Sequence, residues 1–132
     1  MDSTDNILRA VELKKSGTCN CAQSVACAFC NEVGVEFDTM AAITSAFGTG
    51  MGTMKATCGA LIGAGVVLGL VERDRVRSRA AIKRVMEQFE QRNGASICRQ
   101  LKGIDTGTPL RACNDCVADA AEFTLQYLKE KR

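Results

Sequence analysis

The chain has 132 residues, enough for one domain with a proper core. It is 46% hydrophobic but only 5% aromatic, which favours closely packed helices whose core is Ala, Val, Leu, Ile and Gly. A net charge of +2 is too mild for a nucleic-acid binder, and the lack of histidine excludes His-ligated zinc, His-ligated haem and any His-based catalytic dyad or triad.

Eight cysteines are many for this length. The opening Met1-Asp-Ser-Thr-Asp5 is acidic and polar, unlike a signal peptide, so a cytoplasmic protein with reduced thiols is expected. Cysteines there point to metal or redox chemistry rather than a disulfide framework. The longest uncharged run, Ala56–Val71, has 16 residues. It is too short and too rich in glycine for a membrane span, so no membrane insertion is expected.

The spacing of Ile7, Leu8 and Val11 predicts a first helix over 4–16, stopped by Gly17, with Arg9, Glu12 and Lys14 outside. A second helix opens at Cys19-Asn20-Cys21. Asn20 caps it, Gln23 completes a capping box, and Cys21 falls at N1. Its apolar face is Ala22, Val25, Ala26, Phe29 and Val33, and Gly34 ends it. Cys27 and Cys30 lie inside it at i, i+3, as small buried residues or as a ligand pair. Asp38 is expected to cap a third helix with Met40, Ile43 and Phe47 on one face.

Gly48, Gly50 and Gly52 then break the pattern. They follow a helix and not a strand, and no Gly-Lys-Ser/Thr comes after, so neither a dinucleotide fingerprint nor a Walker A loop is present. Gly48, Gly50, Gly59 and Gly63 are the positions where backbone could come close to a bound group, although helix packing is the commoner use of such glycines. Thr57 is expected to cap the next helix, with Cys58 in its first turn. Unpaired N–H groups and the positive helix end favour a thiolate there. The helix of about 58–70 is apolar all round and so central. Its pairs Gly59/Gly63 and Gly65/Gly69 imply tight contact, since each helical glycine costs about 1 kcal/mol relative to alanine.

Residues 72–79 are locally basic, a solvated face or a docking surface for an acidic partner, and lead into a helix with core face Ile82, Val85, Met86 and Phe89, ending at Asn93-Gly94. Ser96 is expected to cap a short helical turn holding Cys98, closed by Gly103. The loop 103–111 contains the single proline, Pro109. A last helix runs from about Ala112 or Cys113 to Lys129, with Val117, Ala120, Ala121, Thr124, Leu125 and Leu128 inside and Cys113-Asn-Asp-Cys116 at its start. The expected fold is therefore all-α, a compact bundle of five to six helices around the central glycine-rich helix, in one domain over 1–132.

Cys21, Cys58, Cys98 and Cys113 thus each fall in or just before the first turn of a helix. Helix N-termini stabilise thiolates, and clustered thiolates are what soft metals and iron–sulfur clusters require. The separations of 37, 40 and 15 residues match no compact cluster motif, so only the tertiary fold could bring the four together.

Asn20-Cys21-Ala22-Gln23, Phe47-Gly-Thr-Gly-Met-Gly, Cys58-Gly-Ala-Leu-Ile-Gly63, Ser96-Ile-Cys98-Arg and Cys113-x-x-Cys116-Val117, in this order, resemble the C_GCAxxG_C_C family. Its name says redox without saying what is oxidised. The resemblance implies that Cys21, Cys58, Cys98 and Cys113 are the characteristic four, with Cys19, Cys27, Cys30 and Cys116 as extras. The family is also similar to the N-terminal part of split-Soret cytochromes, for which an iron–sulfur centre has been proposed. No haem-binding CxxCH occurs here, so only the non-haem part carries over.

Three functions compete. The first is an iron–sulfur cluster on Cys21, Cys58, Cys98 and Cys113, for electron transfer or sensing. The second is metal-free thiol–disulfide exchange, with Cys58, Cys113 and Cys116 as the reactive set and Cys113-x-x-Cys116 as nucleophile and resolving thiol. The third is zinc or another soft metal held without redox. A redox partner protein is expected, its identity beyond the sequence, and the apolar, glycine-rich surface is compatible with a homodimer.

Overall fold

The computed structural model describes residues 5–131. The polar opening read at Met1–Thr4, and Thr4 as the start of the first helix, lie outside them. Eight α-helices are present among the described residues: α1 (Asp5–Lys15), α2 (Cys21–Cys27), α3 (Cys30–Val33), α4 (Phe37–Thr44), α5 (Gly59–Glu72), α6 (Arg75–Asn93), α7 (Cys98–Lys102) and α8 (Cys113–Lys131). A wide helical turn, Gly50–Met54, lies between α4 and α5. There is no strand among the described residues, so the chain is all-α as its composition implies, with more and shorter helices than the five or six expected. No helix is long and apolar enough to cross a membrane.

The glycine-rich apolar helix, α5, packs on α2, α6 and α8, and α1 packs on α2 and α8. Ala60, Leu61, Ala64, Val67 and Leu68 of α5 are buried beside Val25, Phe29, Val85, Phe89 and Val117 from the other helices. Small residues set the closest approach. A Cβ on Gly63 would lie 2.4 Å from the Ala22 carbonyl oxygen, so α2 can cross α5 here only over glycine. The expectation of four such contacts is too broad. The nearest atoms to a Cβ on Gly65 are at 3.7 Å, and none lies within 4 Å at Gly69.

Other expectations shift by a residue or a face. In α1 the buried positions are Asn6 and Ala10, while Leu8 is 57% exposed. Asn6 is drawn inward because its Nδ2 donates to the Ala28 carbonyl (3.0 Å) and to Glu32. That bond also explains why the expected second helix is cut in two. The Ala28 carbonyl is taken, and the Glu32 N–H turns to the Phe29 carbonyl instead. In the third helix Glu36, not Asp38, holds the N-cap position, Ile43 is exposed and Phe47 lies beyond the helix end.

The far end of α5 is tied down by Glu72, which is buried and accepts hydrogen bonds from Tyr127 and from Lys131. Asp74 caps α6. Arg75, Arg77 and Arg79 that follow are exposed, giving the solvated basic face. With 14 residues in α5, this face lies about 20 Å along the helix from Cys58.

Candidate functional site

One end of the molecule collects the starts of α2, α5, α7 and α8. The start of α2 is local in origin. The Asn20 side chain accepts from the Gln23 N–H (2.8 Å) and the Gln23 side chain accepts from the Asn20 N–H (2.9 Å), so Cys21 sits at the first helical position as expected. Cys113 likewise opens α8.

Cys58 and Cys98 are placed by each other. The Cys58 N–H donates to the Ser96 carbonyl (2.7 Å) and the Cys98 N–H to the Ala56 carbonyl (3.0 Å), around an antiparallel bridge between Thr57 and Ile97. This draws Thr57 away from the cap it was expected to form. Cys58 itself takes the N-cap position and α5 begins at Gly59. Ile97, not Ser96, precedes α7, and Ser96 Oγ donates to Glu90 instead. In the bridge, Cys58 and Cys98 are diagonal neighbours on one face, a relation that holds Cα atoms about 7–8 Å apart.

The glycine-rich segment closes over these positions. Thr49, Gly50, Met51, Gly52 and Met54 all have positive φ. A Cβ on Gly50 would lie 2.7 Å from the Cys98 Cβ, one on Gly48 equally close to the Asn20 side chain, and one on Gly59 2.3 Å from Cys21 Sγ. Three of the four glycines singled out in the sequence therefore make room for cysteines or for their capping residue. Gly63 makes room for the α2 backbone.

The result is a cavity of about 100 Å3 lined by Cys21, Cys58, Cys98, Cys113 and Cys116, with Leu101, Thr49 and Asn20. The four cysteines expected at helix starts come together, and Cys116 joins them. Three cations, Lys14, Lys102 and Arg111, also line it, with no carboxylate among the lining residues. Sequence reasoning did not single out these cations for the site, since they come from α1, α7 and the long loop and carry no motif. Arg111 is held there by Asp119, which is 2% exposed and accepts from Arg111 Nε and Nη2 (both 3.0 Å), from Arg92 and from Asn93. Burial pushes the Asp119 carboxyl up, but the bonds from Arg111, Asn93 and Arg92 outweigh it and hold the group below the usual carboxylate range.

The five thiols differ in character. The neighbouring Cys116 thiol draws Cys58 below its ordinary value, with help from the Ala60 and Leu61 N–H groups and the charge of Lys102, against the cost of burial. Cys116 is pushed up by Cys58 and by burial. Burial raises Cys21 despite N–H bonds from Thr49 and Ala22, and raises Cys98 despite Lys102. The contact that Cys116 makes is thus with Cys58, across the cavity from its own helix, and no spacing in the sequence signals it. Among the described residues, no group of three or more cysteines or carboxylates is placed to hold a single metal ion.

The remaining thiols, Cys19, Cys27 and Cys30, lie outside this cavity. Cys19 and Cys27 are buried and Cys30 is half-buried. No curated protein and no solved structure matches the chain. A family model does, over residues 19–127, a stretch that takes in the capping box, the glycine-rich closure and all five cavity cysteines. The chain belongs to the C_GCAxxG_C_C family, described as "putative redox-active protein".

Proposed function

We propose that this redox-active protein holds an iron–sulfur cluster on Cys21, Cys58, Cys98 and Cys113 and serves electron transfer or sensing. The observation that carries the reading is that these four cysteines, spread over 92 residues from 21 to 113, line one cavity. The donor set fits the group, with thiolate ligands only and no competing carboxylate in the lining. Such a cluster supplies electron transfer at a potential tuned by hydrogen bonds to sulfur and by exposure.

The chain's own groups act on the sulfurs. N–H groups of Ala22 and Thr49 reach Cys21, and those of Ala60 and Leu61 reach Cys58. Lys102 lowers the cost of thiolate at Cys58 and Cys98. Gly59 leaves Cys21 Sγ the volume that a side chain would take. Zinc on the same four sulfurs is the alternative, told apart by elemental content.

The test is anaerobic purification followed by the visible spectrum and by iron, sulfide and zinc content. The expected protein is coloured, with iron and sulfide in comparable amounts, and Cys58→Ser bleaches it while Cys116→Ser does not. A colourless, metal-free anaerobic preparation refutes the reading.

A second reading rests on Cys116 and Cys58 lining the same cavity. Cys58, drawn toward the thiolate chiefly by Cys116, is then the nucleophile and Cys116 the resolving thiol. Exchange with an incoming disulfide would join the two sulfurs and release two thiols. A reversible Cys58–Cys116 disulfide mapped by mass spectrometry after mild oxidation, absent in Cys58→Ser, supports it, and full alkylation of both Cys58 and Cys116 after that oxidation removes it.

A further inference from the structure

The three thiols outside the cavity lie near one another, close enough that Cys27 acts on the titration of both Cys30 and Cys19. Cys27 closes α2 and Cys30 opens α3, so Cys27-Ala28-Phe29-Cys30 is a CxxC laid across the break between two helices. The two central residues have dihedrals of −66°, −16° and −113°, 14°. These are close to a type I turn, whose ends lie less than about 7 Å apart at Cα. Disulfides form at Cα separations of about 4.4–6.8 Å, so the backbone here needs little or no movement to accept one. The same break removes one helical bond, because Asn6 holds the Ala28 carbonyl. The turn is therefore fixed from α1 and is not a frayed end.

We propose that Cys27 and Cys30 form a second redox-active dithiol, separate from the cavity, whose co-substrate is a low-molecular-weight disulfide. Cys30 is the attacking thiol. It is half-buried, whereas Cys27 and Cys19 are buried. The half-exposed side of Cys30 is its approach from solvent, and although burial raises the Cys30 thiol, the charge of Arg9 opposes that rise. The Cys30 thiolate attacks one sulfur of the co-substrate, forming a mixed disulfide and expelling one thiolate. Cys27 then attacks the Cys30 sulfur, giving its own proton to the second leaving thiolate. Two protein thiols are oxidised, one disulfide is reduced to two thiols, and the turn between α2 and α3 is closed covalently. The site does not depend on what the cavity holds.

The test uses the full chain, prepared reduced and exposed anaerobically to oxidised glutathione. Free thiols are then alkylated after unfolding, and the bridged residues are identified by digestion and mass spectrometry. The expected result is a Cys27–Cys30 disulfide, reversed by dithiothreitol with helix content unchanged. In Cys30→Ser, Cys27 and Cys19 are expected to remain fully alkylated, because the buried thiols have lost their exposed relay. Three results overturn the proposal: full alkylation of both Cys27 and Cys30 in wild type, glutathione left on Cys30 without resolution, or Cys27 joined to Cys19. The wild-type map decides the matter even if the variant folds poorly.

Discussion

Gly59→Ala tests whether the cysteine site is built by clearance at the start of α5. The added Cβ would sit 2.3 Å from Cys21 Sγ, 2.7 Å from the Phe47 carbonyl oxygen and 3.2 Å from the Gly48 Cα. Rotation of Cys21 could relieve the first contact but not the second, which is with backbone. Overpacking of this kind costs about 1–3 kcal/mol. Alanine returns at most about 1 kcal/mol through helix propensity. With that full return the net loss is roughly 0–2 kcal/mol, a fall in Tm of up to about 10 °C for a chain of this size. Gly69→Ala is the control, because nothing lies within 4 Å of its Cβ. It should gain up to about 1 kcal/mol. Urea unfolding of the two variants gives the stability difference, and the alkylation rate of Cys21 in the folded protein reports its displacement. The reasoning is refuted if Gly59→Ala is as stable as Gly69→Ala and Cys21 reacts as in wild type.

Two further outcomes follow from the titrating groups. In metal-free protein the alkylation rate of Cys58 should rise with pH around a midpoint below that of an ordinary thiol, and Cys116→Ala should move that midpoint upward, as read by mass spectrometry of the modified peptide. Asp119, held below its ordinary 3.8, contributes stability that is complete above that value and is lost as pH falls through the folded value. Asp119→Asn should therefore cost roughly 1.5–3 kcal/mol at neutral pH, the range for a charge-assisted bond, and flatten the acid limb of a pH–stability curve measured by urea unfolding.

Where a feature depends on near neighbours in the chain, the sequence carried it. The capping box at Asn20 and Gln23 places Cys21 in one turn of backbone, and Gly94 and Gly103 end their helices as left-handed residues. Most of the apolar run from Ala60 to Leu68 is buried, with Ile62, Gly65 and Val66 only partly so. Features fixed by distant residues were out of reach. Thr57 looks like a cap until Ile97 comes beside it. Leu8 fits an apolar stripe, yet the face of α1 that turns inward is chosen by Asn6 and its bond to Ala28. The convergence of four cysteines could be suspected from their like positions at helix starts. The pairing of Cys58 with Cys116, and the three cations around them, needed the fold.

The meeting of helix starts has an electrostatic consequence. Each helix end carries up to about half a positive charge, and α2, α5, α7 and α8 all present that end to one cavity, with Lys14, Lys102 and Arg111 at its wall. Ends of like sign repel, and the longer helices α5 and α8 contribute most. Of the cavity sulfurs Cys58 is the one drawn toward the thiolate, and its negative charge offsets part of this repulsion. Ionised Cys58 is thus a countercharge for the architecture as well as a reactive group. Capping it should loosen this end of the molecule first, leaving the opposite end, where Glu72 joins α5 to α8, intact.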